Sequence, residues 1–204
     1  MKQLRWTANW CTAFRVVCIP PMIWNILCGD FTSAMGWFGI NQILDIWDGL
    51  IARRQGGVLT DQQAEGKSLW EVMNFPGVTP LGSWMDPVMD KATNGVAILL
   101  LGLGFVPWPL VVLPVLIDLL LQFGVRPLKK WLKIGDDASN GNGKAKNWLQ
   151  SAAIVWLALG RGFWWGQWVA IGYLMLAIIY GGLSVYGHLW PKKANAPRPF
   201  QKLT

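Results

Sequence analysis

The segment DIWDGLIAR, residues 45–53, places two aspartates in an otherwise apolar stretch with the character of a helix. Asp45 and Asp48 are three residues apart, so a helix presents both carboxylates on one face. Acidic side chains are costly inside an apolar helix that crosses a membrane, and by default they mark functional sites there. The segment therefore predicts a membrane helix that carries a polar site.

The segment GSWMDPVMDK, residues 82–91, carries a second pair of aspartates, Asp86 and Asp90, one helical turn apart. The two segments belong to consecutive apolar stretches and are predicted to be antiparallel neighbours, so four carboxylates converge at one depth. Such charges repel strongly in a low dielectric unless cations bind between them. Carboxylate ligands suit hard cations such as Mg²⁺, Mn²⁺ or Ca²⁺. The alternative is ion pairing with nearby basic side chains, for which the candidates are Arg53, Arg54 and Lys91.

The rest of the chain has the composition of a membrane protein. Of its 204 residues, 53% are hydrophobic and only 14% are charged, whereas a soluble domain has about a quarter charged residues. A membrane-spanning helix needs about 20 apolar residues, and the prolines at 20 and 21 are expected to break the first candidate span. The candidate spans are residues 11–28, 31–52, 81–105, 108–125, 147–160 and 168–190. The predicted fold is therefore an all-α integral membrane protein with six transmembrane helices.

The distribution of Lys and Arg predicts the orientation in the membrane. If the N-terminus is cytoplasmic, nearly all basic residues fall on the cytoplasmic side, and the segments on the opposite side hold only Arg161. This asymmetry is typical of cytoplasmic loops and predicts that both termini are cytoplasmic. The net charge of +7 then reflects topology, and we expect no nucleic-acid partner. Residues 1–204 are predicted to form one membrane domain, with an extended cytoplasmic loop at about 54–80 and a short polar tail from about 191.

Together the two acidic segments form a longer motif. Asp45-x-x-Asp48-Gly49-x-x-Ala52-Arg53, followed by Gly82-x-x-x-Asp86-x-x-x-Asp90, resembles the signature of the CDP-alcohol phosphatidyltransferase family. Four further blocks are similar to one branch of that family, the bacterial phosphatidylglycerophosphate synthases: Asn9-x-x-Thr12-x-x-Arg15, TPLGSWMDPVMDK (79–91), FGVRP (123–127) and GKAKNWLQ (143–150). The resemblance covers the chain from about Asn9 to Gln150.

The resemblance implies an enzyme that transfers a phosphatidyl group from CDP-diacylglycerol to an alcohol and releases CMP. In the matching branch the acceptor is glycerol 3-phosphate and the product is phosphatidylglycerophosphate. By the family pattern, Asp45, Asp48 and Asp86 hold two divalent cations, Mg²⁺ or Mn²⁺. Asp90 also contacts metal and is the expected general base for the acceptor hydroxyl.

The resemblance also implies two groups of substrate-binding residues. The residues expected to bind the CDP-lipid are Asn9, Thr12, Arg15, Gly49, Ala52, Arg53 and Gly82. The residues expected to bind the acceptor phosphate are Arg126, Lys144 and Lys146. Alternatively, Arg53 is an anchor on the positive side of the membrane, and the two lysines act through topology and attraction to anionic lipids.

A lipid donor and a soluble acceptor are expected to meet at the membrane surface. The resemblance implies a bacterial cytoplasmic (inner) membrane, an active site that faces the cytoplasm, contact with membrane lipids, and a homodimer, since family members often dimerise.

Two departures from the family pattern leave the acceptor open. The branch has an Arg-Glu pair where this chain has Asp118 and Leu119, so the acceptor could instead be an inositol phosphate, phosphatidylglycerol or another alcohol. The loop between Arg53 and Gly82 is also much longer than in the family. It is either a tolerated insertion or an element that shapes access of the acceptor to the site. A protein of another class, a cation transporter, could also use these acids. Transport sites favour the bilayer midplane, however, and these acids lie near one face of the membrane.

Overall fold

The computed structural model describes residues 7–125 and 141–189, and the chain is helical through most of these ranges. The helices are α1 (Ala8–Leu27), α2 (Phe31–Gln55), α3 (Asp61–Ala64), α4 (Leu69–Met73), α5 (Pro80–Gly102), α6 (Trp108–Leu119), α7 (Gly141–Leu159) and α8 (Gly166–Leu189). The last turns of α6 continue as a π-helix over Leu120–Val125, and a 3₁₀ turn, Gly160–Gly162, joins α7 to α8.

Three helical stretches are both long and apolar enough to cross a membrane: Ala8–Leu27, Trp108–Val125 and Gly166–Gly187. The helical architecture confirms the all-α prediction, and these three stretches are candidate membrane spans. Helices α2, α5 and α7 contain 25, 23 and 19 residues, which at about 1.5 Å per residue approaches or exceeds the roughly 30 Å of hydrocarbon. Their polar side chains, among them the four aspartates of α2 and α5, lower their mean hydropathy. Six spans with both termini cytoplasmic therefore stay a prediction.

Helix α1 runs unbroken through Pro20 and Pro21, so the expectation of a break there was wrong. Each proline lacks the amide hydrogen that would bond to a carbonyl one turn earlier, at Val16 and Val17. Membrane helices tolerate such losses where neighbouring elements stabilise the helix. Here α1 packs along both α2 and α5, and these contacts support it on either side of the prolines.

Most of the buried apolar side chains form one core toward one end of the helix bundle. This core contains Met22 and Ile26 of α1, Ala34 and Phe38 of α2, Ile98 and Leu101 of α5, Val111 of α6, Ile154 and Leu157 of α7, and Leu174 of α8. The opposite halves of α1, α2 and α7 carry buried polar residues instead, including Asn9, Thr12, Arg15, Asn41, Asp48 and Gln150. The fold thus separates an apolar end, which stabilises the bundle, from a polar end.

The chain between α2 and α5 folds back over the start of α1. Its two ends meet in a narrow neck, where the Val78 amide donates to the Gly57 carbonyl at 2.8 Å and the Leu59 amide donates to the Val78 carbonyl at 2.9 Å. A Cβ atom on Gly77 would collide with the backbone of Gly57, and Gly77 has φ +120°, a conformation that side chains rarely adopt. Glycine at the neck therefore allows the two backbones to touch.

Candidate active site

Helices α2 and α5 bring three of the four predicted aspartates together at the polar end of the bundle. One carboxylate oxygen from each of Asp45, Asp48 and Asp86 lies within 4.8 Å of the others. Asp48 is buried, whereas Asp45, Asp86 and Asp90 are partly exposed. The packing of α1 against both helices closes one side of this carboxylate cluster.

Arg15 of α1 lies among these carboxylates. Its Nη1 atom is 2.5 Å from Asp45 Oδ1, 2.5 Å from Asp86 Oδ1 and 3.7 Å from Asp48 Oδ2. Its Nη2 atom is 3.9 Å from Asp90 Oδ1, and the side chain is completely buried. Arg15 therefore balances much of the negative charge at the centre of the cluster.

This position of Arg15 changes the interpretation of the acids. The ion-pair alternative assigned their charge to Arg53, Arg54 or Lys91, but the structure supplies Arg15, a residue expected to bind the CDP-lipid. Asn41 holds Arg15 in place, because its Oδ1 atom accepts from Arg15 Nε at 3.3 Å and its Nδ2 atom donates to the Arg15 carbonyl at 3.1 Å. Sequence reasoning missed Asn41, although it lies one helical turn before Asp45.

The residues at the cluster fit divalent cations. The three carboxylates that approach within 4.8 Å offer hard oxygen ligands, the donor type that Mg²⁺ and Mn²⁺ prefer. The cluster is therefore a candidate metal centre, with Asp45, Asp48 and Asp86 as its ligands.

A cavity of about 310 Å³, here the α1–α2 cavity, opens on one side of the cluster. It is lined by Ala8, Asn9, Thr12, Asp48, Gly49, Ala52, Gly77, Val78, Thr79, Gly82, Ser83 and Asp86. Five of the seven residues expected to bind the CDP-lipid are in this wall, and Arg15 lies in the adjoining cluster. Arg53 is exposed, and its guanidinium lies beside Gly49.

Gly82 shapes this cavity because its lack of a side chain leaves room for Asn9. A Cβ atom at Gly82 would lie 2.5 Å from Asn9 Oδ1 and 3.2 Å from Thr79 Oγ1. The missing side chain therefore makes room for Asn9 in the cavity wall. Beside it, Thr12 donates to Asp48 Oδ2 at 3.3 Å.

A second cavity of about 360 Å³, here the α2–α7 cavity, opens on the side of the cluster toward α7. It is lined by Gln42, Asp45, Ile46, Asp90, Lys144, Asn147, Trp148 and Ser151. Asn147 donates to Asp90 Oδ2 at 3.0 Å. Asn147 was not predicted, but it lies one helical turn after Lys144, and this spacing places both residues on one face of α7.

Lys146 lies away from this cavity. It is only two residues from Lys144, so the helix turns it toward a different neighbour. There it forms a buried ion pair with Asp118 of α6, and Gln150 Nε2 donates to the other Asp118 oxygen at 2.8 Å. Asp118, which departs from the family pattern, is thus the ion-pair partner of Lys146. The role of Lys146 in binding the acceptor phosphate stays a prediction. The role predicted for Arg126 falls on a residue outside the described ranges.

Apolar helices that surround a carboxylate cluster, with a cavity on each of two sides, define a helical membrane protein with a charged two-cavity site. The family model for CDP-alcohol phosphatidyltransferase matches residues 5–60 and 74–180. The chain belongs to the CDP-alcohol phosphatidyltransferase family, which confirms the resemblance of its motif. It is an enzyme, a transferase of phospholipid biosynthesis, and membership in this family disfavours the cation transporter.

Curated relatives are similar over most of the chain. They include the CDP-diacylglycerol–glycerol-3-phosphate 3-phosphatidyltransferases of Shigella flexneri serotype 5b (strain 8401) and Escherichia coli (strain K12). Each is 26% identical over 196 residues, which cover 90% of this chain and 93% of the relative. No solved structure matches the chain. The gap in the family match, residues 61–73, runs from the start of α3 to the end of α4.

Proposed function

We propose that the protein transfers the phosphatidyl group of CDP-diacylglycerol to glycerol 3-phosphate, giving phosphatidylglycerophosphate and CMP. The observation that carries this proposal is the meeting of two cavities at one carboxylate cluster, which provides a place for each substrate. The names of the relatives support glycerol 3-phosphate as the acceptor.

The α1–α2 cavity is assigned to the cytidine nucleotide of the donor. Gly49 and Ala52 have little or no side chain, so they leave space on the α2 side of the cavity. Asn9 and Thr12 supply polar groups from α1. Two divalent cations, Mg²⁺ or Mn²⁺, held by Asp45, Asp48 and Asp86 and also contacted by Asp90, would neutralise the diphosphate and the leaving CMP. Arg53, exposed beside Gly49, can reach the nucleotide from the rim of the cavity.

The α2–α7 cavity is assigned to the acceptor. Asp90 takes the proton of the acceptor hydroxyl, whose oxygen bonds to the phosphorus of the phosphatidyl group. The bond between that phosphorus and the oxygen shared with CMP breaks, and CMP leaves with the electron pair. Asn147 orients Asp90 by donating to Oδ2. Lys144 pairs with the phosphate of the acceptor.

The membrane setting follows from the same assignment. The lipid donor enters from the bilayer, and the acceptor enters from the cytoplasm of a bacterial cell, so the polar end of the bundle faces the cytoplasm at the inner membrane. In this arrangement six helices span the bilayer with both termini cytoplasmic, and membrane lipids surround a homodimer.

A second acceptor is favoured by one observation. The pairing of Lys146 with Asp118 leaves Lys144 as the basic side chain among the described residues that line the α2–α7 cavity. A site with less positive charge is suited to an acceptor with less negative charge, such as phosphatidylglycerol or a neutral alcohol, and the same transfer chemistry applies.

The test is transfer by purified protein in detergent with radiolabelled CDP-diacylglycerol and Mg²⁺ or Mn²⁺. The acceptors are glycerol 3-phosphate, inositol phosphate, phosphatidylglycerol and glycerol, and the readouts are CMP release and the labelled lipid product. We expect the fastest transfer to glycerol 3-phosphate and a loss of about 10²–10⁴-fold in kcat for Asp90→Asn. The matched control is Asp30→Asn, at an exposed acid that caps α2, where Asn caps equally well. Absence of CMP release with every acceptor would refute the proposal, and full activity in Asp90→Asn would refute the base.

A further inference from the structure

We propose that residues 61–73, here the insert, position the wall of the α1–α2 cavity and thereby set the affinity for the donor nucleotide; this rests on the function proposed above. The insert contains α3 and α4 and lies outside the match to the family model. A tolerated surface loop would leave the site unaffected by its removal. The contacts of the insert instead reach residues at the donor cavity.

Three residues at the start of α1 are bound to the end of the insert or to the residue that follows it. Asn9 Nδ2 donates to the Val72 carbonyl at 2.8 Å, and Thr7 Oγ1 donates to the Met73 carbonyl at 2.5 Å. Trp10 Nε1 donates to Asn74 Oδ1 at 3.4 Å. The Trp10 ring also packs edge-on against Trp70 of α4, with 5.8 Å between the ring centroids. The insert therefore holds the first turn of α1 by both polar and aromatic contacts.

Asn9 is held from two sides. Its Nδ2 atom donates to Val72 within the insert, and its Oδ1 atom accepts from Thr79 Oγ1 at 2.8 Å. Only 3% of Asn9 is exposed, so two buried hydrogen bonds define the orientation of its amide. Because Asn9 lines the α1–α2 cavity, that orientation is part of the surface that a nucleotide meets.

The neck links the insert to a second part of the wall of the α1–α2 cavity, across from Asn9. Gly77, Val78 and Thr79 follow the insert and line the α1–α2 cavity. They are held beside the end of α2 by the pairing of Val78 with Gly57 and Leu59. None of these three residues lines the α2–α7 cavity. The insert is therefore expected to act on the donor and to leave the acceptor site unchanged.

The experiment measures CDP binding with Mg²⁺ to the full-length protein in detergent by titration calorimetry, together with KM for each substrate. In one variant a short Gly-Ser linker replaces residues 61–73. A second variant, Thr79→Val, removes the hydroxyl that donates to Asn9 and that caps α5 by accepting from the Gly82 amide, and Thr79→Ser keeps both hydrogen bonds. The matched control is Asp30→Ala, because Asp30 also caps a helix, α2, through its side chain and lies outside the insert and both cavities.

We expect CDP binding to weaken roughly five- to tenfold in Thr79→Val and at least as much in the linker variant. The KM for CDP-diacylglycerol should rise in parallel, while the KM for the acceptor stays unchanged. Thr79→Ser and Asp30→Ala should behave like the parent. Unchanged CDP binding in the linker variant or in Thr79→Val, an equal rise in both KM values, or no CDP binding by the parent would each overturn the inference. A parent that binds CDP but transfers nothing would refute only the proposed function.

Discussion

Arg15→Gln is the substitution that most directly tests the electrostatics of the carboxylate cluster. It removes a fully buried guanidinium that lies 2.5 Å from both Asp45 and Asp86 and within 4.0 Å of Asp48 and Asp90. The variant would leave the four carboxylates facing one another. We therefore expect a less stable protein whose stability depends strongly on divalent cations.

The size of the effect follows from burial. Removing one partner of a buried ion pair costs about 3–5 kcal/mol. The side chains of Asp45 and Asp86 are 36% and 46% exposed, so solvent screens part of the charge, and the lower end of that range, about 3 kcal/mol, is expected. At about 2–4 °C per kcal/mol for a chain of this size, Tm should fall by roughly 6–12 °C. Mg²⁺ at about 100 times its Kd contributes about 2.7 kcal/mol, nearly enough to compensate.

The assay is thermal unfolding of parent and variant in detergent, with a chelator and with saturating Mg²⁺. Mg²⁺ should raise Tm more in Arg15→Gln than in the parent, because in the parent Arg15 already balances the same carboxylates. Arg54→Gln, at an exposed residue of α2, is the matched control and should show no change. Equal Tm values for parent and Arg15→Gln in chelator, or an equal Mg²⁺ shift in both, would refute the reasoning.

Three further predictions concern the two cavities and the buried pair behind them. Lys144→Gln should raise the KM for glycerol 3-phosphate about tenfold or more, because a charged hydrogen bond to phosphate is lost, while the KM for glycerol stays the same in the transfer assay. Asp118→Asn should lower the free energy of unfolding by about 3–5 kcal/mol, since Lys146 then keeps a buried charge without its partner; the double variant with Lys146→Met should recover most of the loss in thermal unfolding. Gly82→Ala should push Asn9 out of the cavity wall, at a cost of about 1–3 kcal/mol, and weaken CDP binding in calorimetry.

Each of these predictions has its own control. Glycerol lacks the phosphate and is the internal control for Lys144→Gln; an equal effect on both acceptors would contradict the role in phosphate binding. For the buried pair, a double variant no more stable than Asp118→Asn would contradict the charge argument. Gly36→Ala is the control for Gly82→Ala, because a Cβ atom at Gly36 would meet nothing within 4 Å.

The convergence of the acids could be predicted because it depends on local geometry. Helical spacing places Asp45 with Asp48 and Asp86 with Asp90, and a chain reversal between two apolar segments puts the pairs at one depth. The same spacing could have separated Lys144 from Lys146, which are two residues apart and face different neighbours. The break expected at Pro20 was wrong because contacts along the whole of α1 outweigh two missing hydrogen bonds.

Other features of the site depend on contacts between segments that are distant in the chain. The place of Arg15 among the carboxylates follows from which face of α1 packs on α2 and α5, and helical periodicity alone does not decide that. The insert carries two local helix signals, the capping boxes that begin at Thr60 and Ser68. Its contact with Asn9 uses the backbone carbonyl of Val72, and a carbonyl is present at every position, so no side-chain pattern could reveal it.

The division of the carboxylates between two cavities has a kinetic consequence. Asp48 and Asp86 line the α1–α2 cavity, whereas Asp45 and Asp90 line the α2–α7 cavity. On the proposed assignment, donor and acceptor would occupy the protein at the same time, and the phosphatidyl group would pass directly from one to the other. Such a reaction proceeds through a ternary complex, without a ping-pong pattern in its initial rates, and its single displacement inverts the configuration at phosphorus.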